Sequence, residues 1–161
     1  RPLNVYGQSK LEGELAVQAA GGDSLILRTA WLYGRQGKNF VDTILRLASL
    51  QEELRVVDDQ RGSPTFTRDL SRSITRLLEA GARGIVHVTN SGSCTWFEFA
   101  QKILALKPPA GRRVRVLPIS SAELNRPARR PAFSILDCSR FERLTGDRMR
   151  NWEDALREYL A

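Results

Sequence analysis

Histidine occurs once in this 161-residue chain, methionine once and cysteine twice. Cys94 and Cys138 lie far apart, with no Cys-x-x-Cys pair. Neither a Cys/His metal site nor a disulfide framework is expected from so few ligands. No apolar run approaches the roughly 20 residues needed for a membrane span. The opening Arg1-Pro2-Leu3-Asn4 is not followed by the apolar core of a signal peptide, so a cytoplasmic location is the default expectation. Glycine is too dispersed to form Gly-x-Gly-x-x-Gly or Gly-x-x-Gly-x-x-Gly. The backbone cradle that holds a dinucleotide pyrophosphate is therefore not among these residues. Helix-turn-helix, zinc-finger and ribonucleoprotein motifs are absent too, and nucleic acid is not an expected partner.

What is present is an ordinary globular composition, 42% hydrophobic and 27% charged. The length suffices for one domain with a sizeable core. The net charge of +7 comes mostly from arginine spread along the chain. It reads either as a solvated surface or as attraction for an anionic ligand such as a nucleotide diphosphate. The nearest approach to a patch is Arg126, Arg129 and Arg130, with Arg112, Arg113 and Arg115.

Apolar patterning alternates helix and strand, which predicts an α/β fold. Helices are expected over about 5–20, 40–50, 67–80, 96–106, 139–144 and 152–160. Strands are expected over about 24–31, 54–57, 85–89 and 114–119. Asn39, Thr67 and Thr95 stand where helix caps belong. Asp58, Asp59 and Asp69 suit loop and cap roles better than a metal site, and the lone His87 reads as structural.

Tyr6-Gly7-Gln8-Ser9-Lys10 carries the chemistry. Four residues of helix bring the phenol and the ammonium onto one face. An ammonium beside a phenol favours the phenolate. A phenol so placed can give a proton to a carbonyl oxygen or take one from an alcohol. That is the proton half of a ketone reduction, whose hydride would come from a nicotinamide.

Around that motif, Pro2, Asn4, Leu11, Gly13 and Glu14 resemble the active-site helix of the extended short-chain dehydrogenases/reductases. The resemblance continues in order through Leu27-Arg28-Thr29-Ala30-Trp31-Leu32-Tyr33-Gly34, Asn39-Phe40-Val41 and Asp59-Gln60 with Gly62-Ser63-Pro64-Thr65. It ends with Arg130-Pro131, Ser134, Leu136-Asp137 and Trp152 with Ala155-Leu156. Within the family, the branch that reduces 4-keto nucleotide sugars is the most similar.

The resemblance implies the C-terminal part of a Rossmann-type reductase with a small α/β substrate lobe. Its phosphate-binding turn and its Ser/Thr partner to the tyrosine would lie upstream of these residues. Residues 1–34 and 67–90 would belong to the nucleotide-binding domain, and 35–66 and 91–161 to the substrate-binding lobe. Tyr6 would be the general acid, and Lys10 would sit beside it and hydrogen-bond the cofactor ribose. Thr29 and Ala30 would flank the nicotinamide, while Trp31, Asn39, Phe40 and Arg130 would contact the substrate. The implied cofactor is NADPH, with NADH admitted; the metal requirement is left open. The implied reaction of the complete protein is reduction of dTDP-4-dehydro-6-deoxy-L-mannose to dTDP-L-rhamnose, for cell-surface polysaccharide. The 161 residues alone are expected to be inactive. The resemblance also admits a homodimer and a reductase for another nucleotide sugar. Its alternative is a non-catalytic regulatory homologue such as the methionine adenosyltransferase beta subunit, though the Trp31, Asn39 and Arg130-Pro131 signature leans toward the sugar enzyme.

Overall fold

Asn4 begins the first helix of the computed structural model, which describes residues 2–124 and 127–161. Arg1, Asn125 and Arg126 lie outside the described residues, the last being one of the arginines noted above. The Asn4 side chain accepts a hydrogen bond from the Gly7 N–H, satisfying a free donor of helix α1 (Val5–Ala19). Helix α1 contributes no buried residue. Apart from the half-buried Leu11, its large apolar side chains stand open, Val5 at 85% exposure and Tyr6 at 70%.

Strand β1 (Leu25–Arg28) is followed by the short β2 (Leu32–Tyr33), helix α2 (Phe40–Leu50) and strand β3 (Glu53–Val57). The loop beyond carries two-residue strands β4 (Arg61–Gly62) and β5 (Thr65–Phe66) and runs into α3 (Thr67–Glu79). Then come β6 (Gly84–His87), β7 (Cys94–Thr95), α4 (Trp96–Leu106), β8 (Arg115–Ile119), α5 (Ser121–Leu124), α6 (Ser139–Thr145) and α7 (Trp152–Leu160). Among the described residues β1 pairs with β6, β2 with β5 and β3 with β8, all parallel, while β4 pairs antiparallel with β7. Parallel pairing of sequence-distant strands with helices between them is the α/β pattern that the periodicity predicts.

Two apolar clusters hold the elements. The larger joins Tyr33, Val41, Ile44, Leu54, Phe66, Phe99, Ile103, Trp152 and Leu156, so α2, α4 and α7 close over β3 and β5. It is rich in ring contacts: Tyr33 stacks near Phe66, Phe40 near Phe99, and Phe99 meets Trp152 edge to face. The smaller cluster packs Leu77, Val86, Val88, Phe141 and Met149 beside the β1–β6 pair.

A buried ionic lock stands at the start of α3. Asp69, 7% exposed, receives two hydrogen bonds from Arg150 at 2.8 Å and one from the Asn90 amide at 2.9 Å. Asn90 in turn accepts from the Phe66 N–H, and Arg150 also donates to Glu158 on α7. The pairing with Asp69 raises the Arg150 pKa above its ordinary value.

Most helix boundaries follow the sequence reading closely, whereas the strand expected over about 24–31 closes at Arg28 and leaves Thr29, Ala30 and Trp31 beyond it. Thr95 caps α4 through a full capping box with Glu98, and Asn39 caps α2. Thr67 differs. It is the first residue of α3, whose cap position is Phe66 with no side-chain hydrogen bond. Its hydroxyl instead packs against Gly34, where a Cβ would come within 2.0 Å of it.

Candidate active site

Tyr6 and Lys10 share the open face of α1. The Lys10 ammonium lies over the Tyr6 ring, 5.5 Å from its centroid. This is the geometry that one helical turn dictates. A phenol and an ammonium that are exposed and adjacent have the donor chemistry a carbonyl substrate and a ribose would need. Such a donor pair is what an NADPH-dependent site would need at this face.

Helix α1 is fixed at both ends. At its start, the Asn4 amide donates to the Arg129 carbonyl at 2.7 Å. In its second half, Glu14 receives a two-pronged pair from Arg28, with Nε to Oε1 at 2.8 Å. The Arg28 guanidinium beside Glu14 holds that carboxyl below its ordinary value. Arg28 ends β1 and leads directly into Thr29 and Ala30, both half-buried. The Thr29 hydroxyl is buried and has no hydrogen-bond partner among the described residues.

A cavity of about 820 Å³ opens between α2, β3 and α4. Its walls combine apolar and aromatic surface from Phe40, Leu47, Val56 and Trp96 with cations from Lys38, Arg55 and Arg130. Such a mixture suits a ligand with a flat apolar part and an anionic part. Asn39 lines the cavity as well, but its amide is committed internally. It donates to the Gly34 carbonyl, to Asp42 and to the Tyr159 hydroxyl, while its oxygen accepts from the Asp42 N–H.

Trp31 stands behind this cavity. Its indole lies parallel to that of Trp96, with centroids 3.6 Å apart and planes 9° off parallel, and Trp96 forms the wall. Trp31 holds a left-handed φ of 51°, costly for a bulky side chain. Gly62 makes room for it: a Cβ there would fall 2.5 Å from the indole. A second cavity of about 450 Å³ is lined by Leu3, Asp59, Ser121, Arg129 and Pro131 among others. It shares Gln60, Leu124 and Arg130 with the larger one. The structure thus places Phe40, Asn39 and Arg130 on one cavity and Tyr6 with Lys10 on the helix beside the arginine loop.

Three lining residues had drawn no functional reading from the sequence. Trp96 stands at the first turn of a capped helix, a place that projects an aromatic from the helix end. Arg55 alternates with Leu54 and Val56 on β3, a period-two signal for the face opposite the core. Lys38, just before the Asn39 cap, carries no comparable signal.

Comparison with known proteins follows the same outline. A family model described as the RmlD substrate binding domain matches residues 1–161. The spore coat polysaccharide biosynthesis protein SpsK of Bacillus subtilis is 44% identical over 159 residues, covering 99% of this chain and 54% of its own length. A dTDP-4-dehydrorhamnose reductase of Sinorhizobium fredii is 45% identical over 164 residues, covering 97% of this chain and 55% of its own. The crystal structure of dTDP-4-dehydrorhamnose reductase from Bacillus anthracis in complex with NADP superposes with a TM-score of 0.92 at 43% identity. It spans 99% of this chain and 56% of that one. The chain therefore spans about half the length of the curated relatives it matches. A family match over every residue, joined to a common α/β architecture, makes this chain a member of the RmlD substrate-binding domain family.

Proposed function

We propose that these residues form the substrate-binding part, and the proton-donating helix, of an NADPH-dependent nucleotide-sugar 4-ketoreductase. The complete protein would reduce dTDP-4-dehydro-6-deoxy-L-mannose to dTDP-L-rhamnose. The observation that carries this reading is the pairing of Tyr6 and Lys10 on the open face of α1. The relatives named as dTDP-4-dehydrorhamnose reductases supply the sugar, and the NADP complex of one of them supplies the cofactor.

NADPH, when bound, supplies the hydride for the carbonyl carbon. The carbonyl electron pair moves to oxygen, and Tyr6 gives its phenolic proton to that oxygen. Lys10 stabilises the phenolate left behind until solvent reprotonates it. Lys10 also offers N–H donors to the cofactor ribose, and Thr29 and Ala30 stand on the nicotinamide side. The larger cavity takes the nucleotide sugar. Phe40 supplies apolar surface to it and Arg130 a guanidinium fork for the diphosphate. Asn39 shapes the wall through its internal bonds, and Trp31 supports Trp96 from behind. Residues 1–34 and 67–90 would complete the nucleotide-binding domain, with 35–66 and 91–161 as the substrate-binding lobe.

The test is NADPH oxidation by the complete protein supplied with the 4-keto nucleotide sugar, with the product identified by NMR. Formation of the L-rhamno configuration supports the reading. A folded, NADPH-binding protein that consumes no NADPH overturns it.

A further inference from the structure

Asn4 stands at the meeting point of two parts that the proposed reaction must keep in register. Its Oδ1 accepts from the Gly7 N–H at 2.8 Å, fixing the first turn of the helix that carries Tyr6 and Lys10. Its Nδ2 donates to the Arg129 carbonyl at 2.7 Å, across 125 residues of sequence. Both hydrogen-bonding atoms of one small side chain are thus used, one on the helix and one on the arginine loop.

The surroundings support a coupling role. Leu3, the residue before Asn4, lines the smaller cavity together with Arg129 and Arg130. Arg130 also lines the larger cavity. The loop is braced from its other side, where the Arg61 N–H donates to the Ala132 carbonyl and the Ser134 N–H to the Arg61 carbonyl. The arginine loop therefore has one edge pinned to the β4 strand and the other to the cap of α1. Helix α1 buries none of its own side chains among the described residues. The Glu14–Arg28 pair ties its second half to β1, and at its start the Asn4 bond is what ties it to the arginine loop.

We propose that Asn4 is a positioning residue. It holds the loop that grips the anionic part of the nucleotide sugar at a fixed distance from the Tyr6 phenol, an inference that rests on the reductase reading above. Its N–H bond to Arg129 aligns the bound carbonyl with the proton donor, and its cap keeps the donor helix intact. Loss of the bond to Arg129 leaves the ligand bound but misaligned, and misalignment costs the chemical step rather than binding.

Asn4→Ser separates the two roles. Serine caps a helix as well as asparagine does but is too short to reach Arg129. In the complete protein, Asn4→Ser should keep the wild-type melting temperature and the KM for the nucleotide sugar. Its kcat should fall on the order of tenfold to a hundredfold. Asn4→Thr, a second capping variant, should behave alike and serves if the serine variant is poorly folded. An unchanged kcat overturns the proposal. So does a raised KM at unchanged kcat, which makes Asn4 a binding residue, or a kcat loss that tracks a lowered melting temperature, which makes it structural. The unmodified protein is assayed alongside. Its turnover, with an unaffected variant, overturns the coupling alone; its inactivity overturns the reductase reading and the coupling with it.

Discussion

Trp31 lies flat on Trp96, the two indoles 3.6 Å apart and 9° from parallel, and the pair is wedged against Gly62. The left-handed backbone of Trp31 is tolerated because the stack and the bare glycine hold the ring in place. Trp31→Ala removes the stack and should cost about 2 kcal/mol, below the range for a fully buried aromatic because Trp31 is only half-buried. Gly62→Ala drives a methyl into the indole and towards the Ser134 hydroxyl, and should cost about 1–3 kcal/mol. Urea unfolding of the complete protein checks both; an unshifted midpoint for either speaks against the wedge.

The Asp69–Arg150 pair is the lock most sensitive to losing one partner. Asp69→Asn removes the charge and one of the acceptors while Arg150 stays in place. The expected loss is about 2 kcal/mol, below the scale for a fully buried pair because the Arg150 side chain is one-third exposed and keeps Glu158. Urea midpoints at unchanged slope are the measurement. A loss below about 0.5 kcal/mol would mean that Glu158 alone satisfies Arg150.

Glu14 gives the fold an acid-sensitive tie. Its carboxyl titrates below the ordinary value of 4.5 because of the Arg28 bonds. A carboxyl lowered in the folded state adds stability above its unfolded value, and that stability is lost as pH falls through the folded value. The stability gap between wild type and Glu14→Gln should thus be constant near neutrality and close below about pH 4.5. Its size should be about 1 kcal/mol or less, because the Arg28 side chain is 41% exposed. A gap that widens on acidification would contradict this assignment.

Much of this was legible in the sequence, for reasons that differ by element. Helix α4 was readable to the residue because Thr95 and Glu98 spell a capping box and Pro108 stops the chain beyond it. The Tyr6–Lys10 face followed from helical spacing alone. Two-residue strands such as β4 and β7 were not legible, since a pair of residues carries no period. Thr67 has the residue type of a cap but stands one position inside α3, its side chain packed against Gly34, a contact between residues far apart in the chain. The same holds for the Trp31–Trp96 stack and the Asn4–Arg129 bond, which only the folded chain brings together. Asn39 looked like a cap and is one. That Tyr159, from the last helix, also occupies its amide could not be read locally.

The central claim is that Tyr6 delivers the proton in a nucleotide-sugar ketone reduction. Tyr6→Phe in the complete protein tests it most directly, read by NADPH oxidation with the dTDP-4-keto-6-deoxy sugar and by NADPH fluorescence titration. The account predicts unchanged NADPH affinity and a turnover lowered by at least on the order of a hundredfold. Near-normal turnover in the phenylalanine variant would contradict it.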